Sequence, residues 1–235
     1  GICGSDVHAY RGKHPFVTLP VVAGHEFSGV VEAVGARVSG FNVGQRVTVE
    51  PNLVCGTCLN CRRGRYNICY KLRVIGCQCE GAMAEYLVVP ADKVVPLPDA
   101  LSFQHGAMVE PVAVGVRAVR RAGLAGGERV LVIGAGTIGL VAAQAAKTEG
   151  AGQVLVMDPM PDRLAVARSL GIENTGDLSR HSIGEVVSRI WGEDGADVVL
   201  ECVGLEAAIL SAIEVARKGT RIVVAGVHGG TAATP

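Results

Sequence analysis

From Glu128 onward, short continuous apolar runs alternate with longer amphipathic or alanine-rich stretches. "RVLVIGAG" reads as a buried strand closed by glycines, and "IGLVAAQAAKTEG" as a helix that stops at a glycine. "QVLVMD" and "PDRLAVARSLG" repeat the pair; "ADVVLECVG" and "TRIVVAGV" are two further strands with the helical "LEAAILSAIEVARKG" between them. Strands that are apolar on both faces, alternating with helices of this length, predict a doubly wound parallel sheet. The first half is less regular. Short β-like runs, Phe27–Val34, Arg46–Val49 and Tyr86–Val89, are broken by Gly and Pro, which predicts a β-rich unit with long loops. "HGAMVEPVAVGVRAVRRAG" has helical spacing and bridges the halves, so the expected fold class is α/β with domains at 1–115 and 116–235.

Composition narrows the function. Lys+Arg and Asp+Glu are equal at 22 each, so no electrostatic case exists for nucleic acid or an anionic membrane as partner. No apolar run is long enough to span a bilayer. The first residues, Gly-Ile-Cys, lie inside a motif and the last follow a strand-like run, so the chain is expected to be a segment of a longer protein.

"GAGTIG" sets Gly134, Gly136 and Gly139 in G-x-G-x-x-G, after a strand and at the start of a helix. That context points to a dinucleotide. Gly134 allows the tight turn, Gly136 lets a pyrophosphate approach, and Gly139 lets the helix pack close on the strand. The N–H groups near Thr137 and Ile138, at the positive end of the helix dipole, are placed to hold the anion. Asp158, at the end of the next strand, is placed to accept the adenosine ribose hydroxyls, which favours NAD over NADP. Arg163 leaves two options open: it neutralises a 2′-phosphate or covers the adenine. Val227 ends the last strand-like run and His228 follows it, where ligands of parallel sheets bind.

Eight cysteines are present, four of them in C-x2-C-x2-C-x7-C as Cys55, Cys58, Cys61 and Cys69. A chain this long and apolar is not a disulfide scaffold, so metal ligation in a reducing, cytoplasmic setting is the better reading. Arg62, Arg63 and Arg65 within this segment read as a solvated face; a non-catalytic zinc-binding module is the competing reading of a different class. Elsewhere, "GICGSDVH" offers Cys3, Ser5 and His8, "AGHEFSG" offers His25 and Glu26, and "MVEPVAVG" offers Glu110. Thiolate, imidazole and carboxylate are the donors zinc takes, and a catalytic site uses three of them and keeps one position open. Cys77, Cys79 and Cys202 lack partners at ligand spacing and read as structural. His14 is placed to line a substrate entrance, and His105 and His181 read as solvent-facing helical residues.

Together, "GICGSDVHAY", "GHEFSG", "VEPNLVCGTCLNCRRGRYNIC", "EYLVVP" and "VLVIGAGTIGL" resemble the zinc-containing medium-chain alcohol dehydrogenases, most of all the sorbitol and related polyol dehydrogenases. The resemblance implies a GroES-like catalytic domain and a Rossmann domain, with further strands flanking both ends of this segment. It implies Cys3, His25 and Glu26 as catalytic zinc ligands, Glu110 as an acid beside them, Ser5 and His8 as a proton relay, and the four clustered cysteines as a structural zinc lobe at 55–69. Two zinc ions per subunit, NAD, an alcohol or polyol substrate and a homo-oligomer, dimer or tetramer, follow from the same likeness. The implied reaction is reversible oxidation of a secondary hydroxyl to a ketone. Ala9 follows His8 where polyol members often carry an aromatic, so threonine 3-dehydrogenase and 2,3-butanediol dehydrogenase activities stay open.

Overall fold

The computed structural model describes residues 1–228. They fall into two compact units that divide between Glu110 and Pro111.

In the first unit, helix α1 (Gly4–Tyr10) leads to an antiparallel sheet of β1 (Ser28–Val30), β2 (Arg46–Val49) and β5 (Val94–Pro96), in the order β1-β2-β5. A two-stranded ladder pairs β3 (Asn52–Leu53) with β4 (Arg73–Val74), and the short α2 (Leu59–Arg62) lies between them in sequence. α3 (Phe103–Ala107) follows, capped by the Ser102 hydroxyl, which accepts from the His105 N–H at 3.2 Å. The buried Thr48 hydroxyl donates to the Phe27 carbonyl at 2.8 Å, and the buried Lys93 ammonium pairs with Glu50 at 3.0 Å. These two polar groups, taken out of water, each have a partner, as burial demands.

Helix α4 (Val109–Ala122) carries the division between the units, with Pro111 in its first turn, where a missing N–H costs nothing. The second unit then builds a five-stranded parallel sheet from β6 (Arg129–Ile133), β7 (Gln153–Asp158), β8 (Asn174–Asp177), β9 (Ala196–Glu201) and β10 (Ala216–Val224), in the order β10-β9-β6-β7-β8. The helices α5 (Thr137–Thr148), α6 (Pro161–Ser169), α7 (Ile183–Trp191) and α8 (Glu206–Glu214) alternate with these strands. Val130 and Val132 of β6 point to one core, shared with Val119 of α4, Ala142 and Ala146 of α5 and Leu164 of α6. Leu131 and Ile133 point to the other, shared with Val186 and Trp191 of α7 and Ala212 of α8. Two buried faces explain why β6 is apolar at every position from Val130 to Ile133. The Trp191 indole N–H, in the second core, donates to Gln153.

Three expectations change and one strand, β8, is added: the helix read through Gly219 ends at Glu214, and ARKG opens β10 instead, paired with β9. Tyr86–Val89 is not a strand: Tyr86 is 72 % and Val88 98 % exposed, so alternation in sequence found no backbone partner. β8, sequence NTGD, is a strand without apolar patterning, because it pairs through its backbone with Leu155–Asp158 of β7. His181 lies outside a helix, just before the Ser182 cap of α7.

Candidate functional site

The donor atoms of Cys3, His25 and Glu26 lie within 4.8 Å of one another. Local structure explains how residues 22 positions apart in sequence meet. Cys3 caps α1 in an extended conformation, and its N–H donates to the Asp6 carboxylate at 2.7 Å. The chain reaches His25 through Gly24, at φ +102°, a conformation that favours glycine. Gly76 and Gly81 stack on that turn; a Cβ on either would come within 2.5 Å of the Gly24 carbonyl oxygen. The Gly24 carbonyl accepts from Ala82 at 2.9 Å, and that of Val22 from Gly81 at 2.8 Å. Three glycines thus press the "GCQCEG" loop against the segment that presents His25.

The His25 ring is buried, with Nδ1 3.6 Å from the Asp6 carboxylate. The Cys77 thiol beside the ring, and then the Asp6 and Glu110 carboxylates, hold its pKa above the usual imidazole value against the effect of burial. Burial, with Glu26 and Asp6 nearby, pushes the Cys3 thiol up, while the N–H and hydroxyl of Ser5 pull the other way. Burial also raises the Glu110 carboxyl, which senses both His25 and Glu26 but stands outside the compact triplet. These groups hold protons tightly, and a dication among them would favour the deprotonated forms. Donors of a tetrahedral zinc lie about 3.3–3.8 Å apart, given bonds of about 2.0–2.3 Å, so a small contraction seats the ion. Ser5 therefore adjoins the triplet, and His8, one turn along α1, is exposed.

The second cysteine group is tighter. Sγ–Sγ separations are 3.5 Å for Cys58–Cys61 and Cys55–Cys69, and 4.0 Å for Cys55–Cys61 and Cys58–Cys69. Thiolates around a tetrahedral zinc stand about 3.8 Å apart, whereas a disulfide needs about 2.05 Å. The N–H groups of Cys55 and Lys71 point at the Cys69 sulfur, at 3.4 and 3.3 Å. Backbone N–H groups of Cys58 and Thr57 draw the Cys55 thiol down to about 6, while burial and the thiols of Cys58 and Cys69 push Cys61 up to about 12. This cluster fits a structural zinc with all four positions taken, and no position remains for substrate. Arg62, Arg63 and Arg65 around it are exposed.

In the second unit, Gly134 has φ +100°, and a Cβ on Gly139 would overlap the Gly134 carbonyl oxygen. Gly136 caps α5, so Thr137 and Ile138 supply N–H groups without helical partners. The Asp158 carboxylate, 2 % exposed, accepts from the Ala135 and Met160 N–H groups at 2.8 Å each, and the Arg163 guanidinium lies 3.5 Å away. Val227 is exposed beyond the end of β10.

Residues 1–99 match the alcohol dehydrogenase GroES-like domain and residues 137–235 the zinc-binding dehydrogenase domain. A solved zinc-binding dehydrogenase from Sinorhizobium meliloti 1021, bound to NADP, superposes with a TM-score of 0.92 at 36 % identity, over 100 % of this chain and 70 % of that one. The chain belongs to the zinc-dependent alcohol dehydrogenase family. The sorbitol dehydrogenase of Bacillus subtilis is 37 % identical over 230 residues, 96 % of this chain and 65 % of that protein. The L-threonine 3-dehydrogenase of Rhizobium johnstonii is 37 % identical over 229 residues, 96 % of this chain and 66 % of its own length. The chain therefore spans about two thirds of the curated dehydrogenases it matches.

Two residues of this chain escaped the motif reading. Asp6 had a signal: an acid three residues after Cys3 is a helix-capping spacing. Its second role, facing His25, needed the fold. Cys77 had none, because only the Gly24–Gly76 contact brings it to the ring. Carboxylates behind a ligating histidine orient it, and their loss typically costs about 10–100-fold in metal affinity. Asp6→Asn is expected to weaken the catalytic-site metal by that amount without releasing the lobe metal; competition with a chromogenic chelator measures both. Equal retention of both metals would remove Asp6 from this role.

Proposed function

We propose that this protein oxidises a secondary alcohol, a polyol or vicinal diol, reversibly to the ketone, with hydride transfer to NAD. The convergence of Cys3, His25 and Glu26 carries the proposal. Zinc held there supplies Lewis acidity to the substrate hydroxyl, and NAD supplies the hydride acceptor. Cys3, His25 and Glu26 hold the ion, Asp6 and Cys77 fix the His25 ring, and Glu110 adds a protonatable carboxyl beside it. Ser5 takes the hydroxyl proton and passes it towards His8, which exchanges with solvent. A carboxylate, Glu26, in place of a second thiolate makes the donor set more hydrophilic, which suits a substrate with several hydroxyls. Threonine and 2,3-butanediol are served by the same donors. The absence of a disulfide among the eight cysteines fits a cytoplasmic location. We further propose a dimer or tetramer, which light scattering tests.

The turn from Gly134 to Gly139 receives the pyrophosphate, and Asp158 reads the adenosine ribose. The deciding experiment is a steady-state screen of sorbitol, xylitol, 2,3-butanediol and threonine, each with NAD and NADP. Turnover of a polyol or diol with NAD is expected, and no turnover of any pair by zinc-loaded protein would sink the proposal. In Asp158→Ser the ratio of kcat/KM for NADP to that for NAD is expected to rise about tenfold or more, since a carboxylate repels the 2′-phosphate. An unchanged ratio would take cofactor choice away from Asp158.

A further inference from the structure

Glu201, the last residue of β9, is fully buried, and none of the roles assigned above uses it. Its Oε1 accepts from the Val203 N–H at 2.6 Å and from the Gly204 N–H at 2.9 Å. Its backbone carbonyl accepts from Ala225 at 2.8 Å and Gly226 at 3.0 Å. One residue therefore ties together the chain leaving β9 and the chain leaving β10. Glycines make the closeness possible. Gly204 has φ +77°, and a Cβ on it would overlap the Val227 carbonyl oxygen. A Cβ on Gly226 would overlap the Gly204 nitrogen and stand 2.8 Å from Glu201 Oε2.

This junction borders the glycine turn. Cys202 N–H donates to the Ile133 carbonyl at 2.9 Å, and a Cβ on Gly134 would lie 2.8 Å from Val203 Cγ2. Val203 is thus set against the turn at the carboxyl end of the sheet, the edge where parallel sheets take ligands. Its backbone is held there by a buried carboxylate. Removing that carboxylate would leave two N–H groups without an acceptor, and the turn would have to rearrange to find water.

We propose that Glu201 is a positioning residue for the dinucleotide: through Val203 and Gly204 it fixes the wall beside the glycine turn in the form that receives the cofactor. The proposal rests on the NAD reading above. Only one of its oxygens is needed. Oε2 has no hydrogen-bond partner, so the amide NH2 of glutamine in that place would meet no opposing donor, and its oxygen would still accept from both N–H groups.

The test titrates NADH by fluorescence into the zinc-loaded full-length protein and its variants, with thermal melting recorded alongside. Glu201→Ala is expected to bind at least about tenfold more weakly, a change of about 1.4 kcal/mol. Glu201→Gln is expected to bind within about threefold of the parent. A merely structural role would lower the melting temperature of Glu201→Ala without changing NADH affinity in its folded form, and that result overturns the proposal. So does a Gln variant as weak as the Ala variant. Should Glu201→Ala fail to fold, amide exchange on the parent decides: protected Val203 and Gly204 support the clamp, and exchange at the unprotected rate refutes it. A parent that does not bind NADH removes the dehydrogenase reading and the proposal together; one that binds, with Glu201→Ala equal to it, removes the proposal alone.

Discussion

Turnover by the His25→Ala protein is expected to fall at least about 10³-fold, with zinc content dropping from two ions per chain to one. Lewis-acid activation of a hydroxyl is worth several kcal/mol, and each 1.36 kcal/mol is a factor of ten in rate. His25 is the buried member of the triplet, its donor atom within 4.8 Å of those of Cys3 and Glu26, and it follows directly on the Gly24 turn. Cys3→Ala and Glu26→Ala are expected to follow, Glu26→Ala less severely because Glu110 stands near. Metal analysis and circular dichroism separate a lost ion from a lost fold. Full activity in both folded variants would end the catalytic-zinc proposal.

The same donors give a pH signature with opposite signs in the two metal states. Zinc takes the neutral imidazole and the thiolate, and both His25 and Cys3 hold their protons above the ordinary range. Zinc affinity at this site is therefore expected to fall as pH is lowered, since protons compete for both donors. Without metal, the raised His25 value means that protonation stabilises the fold. That contribution is fully present below the unfolded value of 6.5 and is lost as pH rises through the folded one. Melting curves with and without zinc, across this range, should slope in opposite directions. Parallel slopes would remove His25 from the metal site.

The second large effect belongs to the cysteine lobe. Structural zinc contributes about 10–16 kcal/mol of apparent binding free energy in small zinc-folded peptides. The segment 55–69 has little else to hold it: α2 is four residues long with no buried residue, and most of its side chains face solvent. Cys61→Ala is expected to release that ion and unfold the lobe, while the Rossmann unit keeps its melting transition. Trypsin provides the readout, because Arg62, Arg63, Arg65, Lys71 and Arg73 all lie in or beside the loop. Rapid cleavage there in the variant, and slow cleavage in the zinc-loaded parent, is the expected result. Equal resistance after loss of the metal would mean that packing, not zinc, orders the lobe.

Much of this was legible because the decisive signals are local. Buried parallel strands such as Val130–Ile133 advertise themselves by continuous apolarity, and the strand–glycine–helix order around Gly134 follows directly. Four cysteines within fifteen positions need little folding to converge. What escaped depends on contacts between distant segments. β8 is a strand only because β7 offers a free edge, and nothing in NTGD says so. Tyr86–Val89 has strand-like residues but no neighbour to pair with. Cys77 meets His25 through stacked glycines far apart in sequence, Gly24 and Gly76, and Glu201 reads as the plain end of a strand although its side chain turns back on Val203 and Gly204.

The glycine stack at Gly24, Gly76 and Gly81 also bears on how the polypeptide is made. Everything that shapes both metal sites, apart from Glu110, has left the ribosome once residue 83 has emerged, since Ala82 and Met83 complete the hydrogen bonds around Gly24. At about 5–20 residues per second, the nascent chain spends several seconds more before strand β10 exists. Both ions can therefore be captured during translation, and in a cell short of zinc the unit that holds them would be left without its metals while the nucleotide fold forms.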